Sequence, residues 1–171
     1  MRVHAGAPMD FRDQLVLITG ASSGIGRFLA AEFARHGARL ALVARNAEKL
    51  KAVAQSLPGQ HLVLPADVTK PDEVAHAVTA AGRIDVLVNN AGIGYCATVA
   101  DASLEDYRAV FETNFFGAFH FLQAVIPGMI ERRSGLIIQI SSVNGFCSVP
   151  MGSAYCASKF ALEGMSQSVR I

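Results

Sequence analysis

The sequence predicts an α/β protein built on a doubly wound parallel sheet, and two observations predict it. Short, almost continuously apolar runs alternate with longer amphipathic stretches, as strands buried on both faces alternate with crossover helices. The runs also end alike. Gly20, Arg45-Asn46, Asp67, Asn89-Asn90 and Ser141-Ser142 put turn-forming and polar residues where the strands would finish, which is the edge at which such sheets bind ligands.

A chain of 171 residues fits one domain with a real core; a flexible leader is expected over 1–10, with Met9 as an alternative start, and a single domain over 11–171. With 51% hydrophobic and 17% charged residues and a net charge of +1, the composition argues against a nucleic-acid surface. No apolar run approaches the length of a membrane span, and the first ten residues lack the apolar centre of a secretory signal. No membrane partner is expected, and a cytoplasmic protein is. Cys96, Cys147 and Cys156 lack disulfide or metal spacing, and the scattered His4, His36, His61, His76 and His120 imply no metal.

The first strand, "QLVLITG", ends at Gly20 and opens directly into "ASSGIGRFLAAEFARHG". There Ile25, Phe28, Leu29 and Phe33 recur at helical spacing, and Gly37 supplies the stop. Strand, glycine-rich turn and helix make a phosphate site: Gly20 permits the turn, Gly24 lets a pyrophosphate near the backbone, and Gly26 lets the helix pack closely. The helix N-terminus then offers unpaired N–H groups. The absence of G-K-[ST] excludes a triphosphatase loop. After the second strand, Leu40–Ala44, the place where an acid would hold a ribose 2′-hydroxyl is taken by Arg45. A guanidinium there suits a 2′-phosphate, although an arginine can also simply start a solvated loop. NADP(H) is therefore preferred over NAD(H). Asn46 is expected to cap a helix to about Ser56. "HLVLPADV" is the third strand, and Asp67 either reaches an adenine edge or is a turn acid.

Thr69 and Asp72 suggest a capping box for a helix to about Ala81. "RIDVLVNNAG" is the fourth strand, and Ser103 and Asp106 suggest a second capping box. One long helix is expected over about Tyr107–Glu131, apolar nearly all round and so buried on more than one side. Inside it, the amide of Asn114 must find partners or cost a few kcal/mol. "SGLIIQISS" is the fifth strand and delivers Ser141-Ser142. A loop follows, and Tyr155 opens a last helix running to Ile171.

On that helix Tyr155 and Lys159 stand one turn apart on one face. Charges about 4 Å apart near a protein surface interact by roughly 4 kcal/mol. At about 1.36 kcal/mol per tenfold, that brings a tyrosine from roughly 10 towards 7, as a ceiling before desolvation. Such a phenol is a usable general acid and base. The plain alternative is an amphipathic helix with a solvated lysine.

Together these residues resemble the classical short-chain dehydrogenase/reductases, from about Leu15 onward. "TGASSGIG" (Thr19–Gly26) looks like that family's cofactor motif, and "NNAG" (Asn89–Gly92) like its sheet-stabilising motif. Asn114, Ser142, Tyr155 and Lys159 match its catalytic tetrad, while "YCASK" and Arg45 look like its NADP-preferring branch. Gln139 and Asn144 depart from the usual pattern. The resemblance implies a Rossmann-type sheet of about five strands in the order 3-2-1-4-5. It implies cofactor contacts from Gly20, Ser22, Ser23, Gly24, Ile25 and Gly26, from Arg45, from Asp67 and Val68, from Asn90, Ala91 and Gly92, and from Tyr155 and Lys159. Tyr155 would exchange a proton with a small carbonyl or alcohol substrate, and Ser142 would place the reacting oxygen. Lys159 would lower the tyrosine pKa and hold the nicotinamide ribose, and Asn114 would hold a relay water. The family's further C-terminal strands, Pro-Gly turn and substrate lid have no counterpart here. A truncated chain is therefore expected, with the fifth strand a bare edge, and a homodimer or homotetramer if complete. A catalytically silent nucleotide-binding fragment is the alternative function.

Overall fold

The computed structural model describes residues 11–169; the expected leader over 1–10 lies outside them. One five-stranded sheet has the order β3-β2-β1-β4-β5, with every pair parallel. The strands are β1 Leu15–Thr19, β2 Arg39–Ala44, β3 Leu62–Pro65, β4 Val86–Asn89 and β5 Leu136–Gln139. Helices α1 (Gly24–Arg35), α2 (Ala47–Gln55), α3 (Pro71–Ala81), α4 (Leu104–Phe111), α5 (Gly117–Glu131) and α6 (Ser153–Ser168) complete it. Parallel pairing requires such crossovers.

Period-two alternation divides the core into two layers. Leu15, Leu17, Ala41, Val43 and Leu87 pack with Val74 and Ala77 of α3 and Phe121, Leu122 and Val125 of α5. Val16, Ile18, Leu40, Leu42 and Val88 pack on the other face with Ala30 and Ala34 of α1 and Leu50 and Val53 of α2. The central strand β1 is buried along its whole length, so its near-continuous apolar run follows from two covered faces.

The N-terminal edge of the sheet is stapled. The Asp85 carboxylate accepts from the Leu15 backbone N–H at 3.0 Å and from Arg83 Nε at 2.8 Å, and Arg132 donates to the Ile84 carbonyl. The Asp85 carboxyl is desolvated, yet the bonds from Leu15 and Arg83 and the Arg132 charge hold its pKa below the usual aspartate value. The carboxyl edge is left to loops.

Several expectations need correction. Helix α1 forms as expected and Leu29 and Phe33 pack partly buried against the core, but its fully buried residues are Gly26, Ala30 and Ala34, and Ile25 and Phe28 are 60% and 70% exposed. A small-residue face lets this helix sit close to the sheet, and large side chains would hold it off. Helix α3 is not opened by Thr69: Lys70 is its N-cap, without a side-chain bond, and Pro71 starts it. Proline suits that position, having no N–H to cap, and the Thr69 hydroxyl donates instead to Asp67 Oδ1 at 2.9 Å. The expected helix over Tyr107–Glu131 starts earlier, at Leu104, and is broken into α4 and α5 by a π-helical turn over Glu112–Phe116. Helix α6 begins at Ser153, before Tyr155, and ends at Ser168; residues 170–171 lie outside the described residues. Asn46 and Ser103 cap α2 and α4 as expected, accepting from the N–H of Lys49 and of Asp106. Among the described residues, no helix is long and apolar enough to cross a membrane. Nor does any cluster of His, Cys, Asp and Glu there suit a metal ion.

Candidate active site

The turn after β1 is shaped by two close approaches. Gly20 has φ +65°, and a β-carbon there would lie 2.9 Å from Asn90 Nδ2; at Gly26 a β-carbon would collide with the Gly20 carbonyl. Gly24, at φ +51°, has open space around it. Ser23 is the N-cap of α1 but its side chain does not cap it, so the first-turn N–H groups face the open side without a side-chain partner. That opening is a ready anion site.

Thr19 locks this turn to β4. Its buried hydroxyl accepts from the backbone N–H of Asn90 at 2.9 Å and of Ala91 at 3.0 Å. The Asn90 side chain returns a bond to the Thr19 carbonyl at 2.8 Å. In the neighbouring strand pair, Asn89 Nδ2 donates to the Ala118 carbonyl and ties β4 to α5. No role of its own is assigned to Thr19 from the sequence, although a buried threonine closing an apolar strand is itself a signal that the hydroxyl is bonded.

A cleft of about 960 Å³ runs along the carboxyl ends of β1 to β4. It is lined by Gly20, Ser22, Ser23, Gly24 and Ile25, by Arg45, by Asp67 and Val68, and by Asn90, Ala91 and Gly92. These are the residues for which cofactor contact is expected, save Gly26, Tyr155 and Lys159. Gly26 is spent on packing. Lys49 and Lys70 also line the cleft; they were missed because a lysine on a polar helix or loop carries no sequence mark of its direction. Asp67 Oδ1 accepts from Thr69, and the Val68 carbonyl accepts from His120 Nδ1 at 3.0 Å. The size suits a small-molecule or cofactor site.

Asn114, Ser142, Tyr155 and Lys159 stand beside this cleft rather than on its walls, and Gly92 is the seam. A β-carbon at Gly92 would lie 3.2 Å from Asn114 Oδ1 and 3.8 Å from Lys159 Nζ. Asn114 sits in the π turn, 1% exposed. Its Oδ1 accepts from the Ile93 N–H at 2.8 Å, and its Nδ2 donates to the Ile93 carbonyl and to Ser158 Oγ, each at 3.0 Å. Ser158 donates in turn to the Tyr155 carbonyl at 2.7 Å. The partners demanded of Asn114 therefore exist, and one of them, Ser158, lies between Tyr155 and Lys159 in "YCASK".

Lys159 is 5% exposed and donates to the Ile140 carbonyl at 2.8 Å. Burial pushes its pKa below the usual lysine value, with the Glu163 carboxylate opposing. Its ammonium lies 5.8 Å from the Tyr155 ring centroid, within cation–π range. The half-buried Tyr155 forms no hydrogen bond through its hydroxyl among the described residues. Ser142 Oγ accepts from the Asn144 N–H at 3.1 Å and caps a 3₁₀ turn over Val143–Gly145, which leaves its own O–H to donate elsewhere. Ser141 Oγ is buried without a partner.

The sequence model of the short chain dehydrogenase family matches residues 14–171. The chain is 41% identical over 172 residues to dehydrogenase/reductase SDR family member 7B of Bos taurus, covering 93% of this chain and 53% of that protein. It is 44% identical over 164 residues to retinol dehydrogenase 8 of Homo sapiens, covering 91% and 53%. The chain thus spans about half the length of the curated relatives it matches. Among solved structures, a short chain dehydrogenase/reductase family protein superposes with a TM-score of 0.90 at 31% identity, over 94% of this chain and 68% of that one. A metagenomic short-chain oxidoreductase in complex with NADP gives 0.87 at 36% identity, over 92% and 75%. Sheet order, glycine turn and sequence likeness agree: the chain belongs to the short-chain dehydrogenase family.

Proposed function

We propose that the protein is an NADP-dependent oxidoreductase interconverting a ketone and a secondary alcohol, with Tyr155 as general acid and base. One observation carries the reading. At Gly92 the wall of a dinucleotide-sized cleft passes within contact distance of Asn114 and Lys159, so a ligand in the cleft ends beside the Tyr155 pair. The names of two similar proteins, a retinol dehydrogenase and an oxidoreductase in complex with NADP, support it.

In this reading Gly20, Ser22, Ser23, Gly24 and Ile25 hold the pyrophosphate against the first turn of α1. Arg45 pairs with the ribose 2′-phosphate, and Lys49 and Lys70 add positive charge from the same cleft. Asp67 and Val68 flank the adenine. Asn90, Ala91 and Gly92 meet the nicotinamide half, and Lys159 binds its ribose. The dinucleotide, when bound, supplies or accepts the hydride at the substrate carbon. Tyr155 gives its phenolic proton to the carbonyl oxygen in reduction and takes a proton from the alcohol in oxidation. Ser142, with a free O–H, donates to the reacting oxygen and places it. The Lys159 ammonium stands over the Tyr155 ring and brings a positive charge to the place where the proton is exchanged. Both Nδ2 donors of Asn114 are spent on Ile93 and Ser158, while Oδ1, which accepts one bond from the Ile93 N–H, keeps a lone pair for a relay water.

The test is NADPH absorbance followed with a panel of ketones, and NADP⁺ with the matching alcohols. Turnover faster with NADPH than with NADH is expected; none with any carbonyl or alcohol overturns the proposal.

A further inference from the structure

The two loops that leave the sheet at the tetrad carry no charge and hold an exposed apolar surface. No Asp, Glu, Lys, Arg or His occurs between Val86 and Ala100, or between Ser134 and Ser158. Val143 directly follows Ser142 and is 78% exposed; Phe146, between Ser142 and Tyr155, is 67% exposed. Val149 and Met151 are exposed on the same loop, and Ile93 and Val99 on the loop after β4. The loops are knitted together where the Ala97 N–H donates to the Met151 carbonyl at 2.9 Å. Both are anchored to the proton-transfer group: Ile93 by Asn114, and the Val143–Gly145 turn by Gly145, where a β-carbon would lie 3.2 Å from the Lys159 carbonyl. Of the acids that follow the first loop, Asp101 is engaged by Thr98 and Asp106 by Tyr95 and Ser103.

Exposed apolar side chains gathered on two joined loops mark a binding site, and their position beside Tyr155 and Ser142 in the chain says what binds. A charged group there would lose hydration and find no opposite charge on either loop. We infer that the substrate is a neutral carbonyl or secondary alcohol bearing a bulky apolar group, which lies on Ile93, Val99, Val143, Phe146, Val149 and Met151. This names the substrate class of the reaction proposed above and rests on that proposal.

The experiment measures kcat/KM with NADPH for straight-chain methyl ketones from butanone to decan-2-one, and for the analogue of decan-2-one ending in a carboxylate. In parallel, decan-2-one is titrated into the NADP⁺-loaded protein while backbone amides are followed by NMR. We expect kcat/KM to rise about two- to fourfold per methylene. The carboxylate analogue should fall at least about tenfold below decan-2-one, the slope should flatten in Phe146→Ser, and amide shifts should appear in both loops. A flat series, or a preferred carboxylate, overturns this inference and leaves the oxidoreductase reading standing. A flat series joined to self-association that Phe146→Ser abolishes assigns the patch to a second copy of the chain and equally overturns it. If no ketone turns over, the oxidoreductase reading fails; the inference then also falls if decan-2-one leaves both loops unshifted.

Discussion

The two halves of the carboxyl edge are built from opposite materials. On the β1, β2 and β3 side the cleft is lined by Arg45, Lys49, Lys70 and Asp67, with an uncapped helix N-terminus at its centre. On the β4 and β5 side the loops bear no charge and expose Val143 and Phe146. The tetrad stands where the two meet. One sheet edge can therefore hold a highly charged dinucleotide and present a neutral, apolar partner to it, because each loop set meets a different solvation problem. Charge is cheap at the open, solvated end of the cleft. It is costly on the other side, where neither loop offers an opposite charge.

The largest expected effect falls at the meeting point. Tyr155→Phe removes the only proposed proton carrier and keeps the ring, so turnover should drop about 10²- to 10⁴-fold while NADPH binding changes little. Equal loss of both would mean that the residue serves the cleft and not the chemistry. Asn114→Leu removes a buried amide and with it the bonds to the Ile93 N–H and carbonyl and to the buried Ser158 hydroxyl. We expect about 2–4 kcal/mol less stability by denaturant unfolding, and a stability equal to the parent protein would show that the π turn stands without its amide. Arg45→Ala probes the charged half alone. NADPH should bind about 10- to 100-fold more weakly with NADH nearly unaffected, and equal losses would remove the 2′-phosphate contact from the account.

The smallest effect lies at the far edge of the sheet and serves as a control. Asp85 has its folded pKa held below the ordinary aspartate value. Its contribution is therefore fully present above the unfolded value of about 3.9 and lost as pH falls through the folded one. Asp85→Asn should flatten that acid limb of a stability-versus-pH curve, cost about 1 kcal/mol at neutral pH, and leave both halves of the cleft unchanged. An unaltered acid limb would show that other carboxylates carry it.

Much of the fold was legible because two-sided burial writes itself as apolar runs, and five such runs separated by helices suit a parallel sheet covered on both faces. The glycines of the first turn were legible for the same kind of reason: at Gly20 and Gly26 the backbone leaves no room for a β-carbon. What escaped was set by geometry between segments. The buried face of α1 is the Gly26, Ala30 and Ala34 side, and only the distance to the sheet makes small residues the right ones. The π turn needs one extra residue per turn around Asn114, which no periodicity of so short a stretch discloses. The Thr69 hydroxyl had two plausible partners, and the carboxylate of Asp67 won. Thr19 and Ser158 are polar residues whose partners lie 71 and 44 positions away along the chain, so their roles appear only once the chain is folded.

The most direct test of the account is to measure the KM of NADPH and of an apolar ketone separately as ionic strength is raised. A charged half and an uncharged half predict divergence: the KM of NADPH climbs as salt screens Arg45, Lys49 and Lys70, while that of the ketone stays level or falls. Parallel salt dependence of the two, or a ketone KM that climbs while that of NADPH does not, would contradict the division of the site.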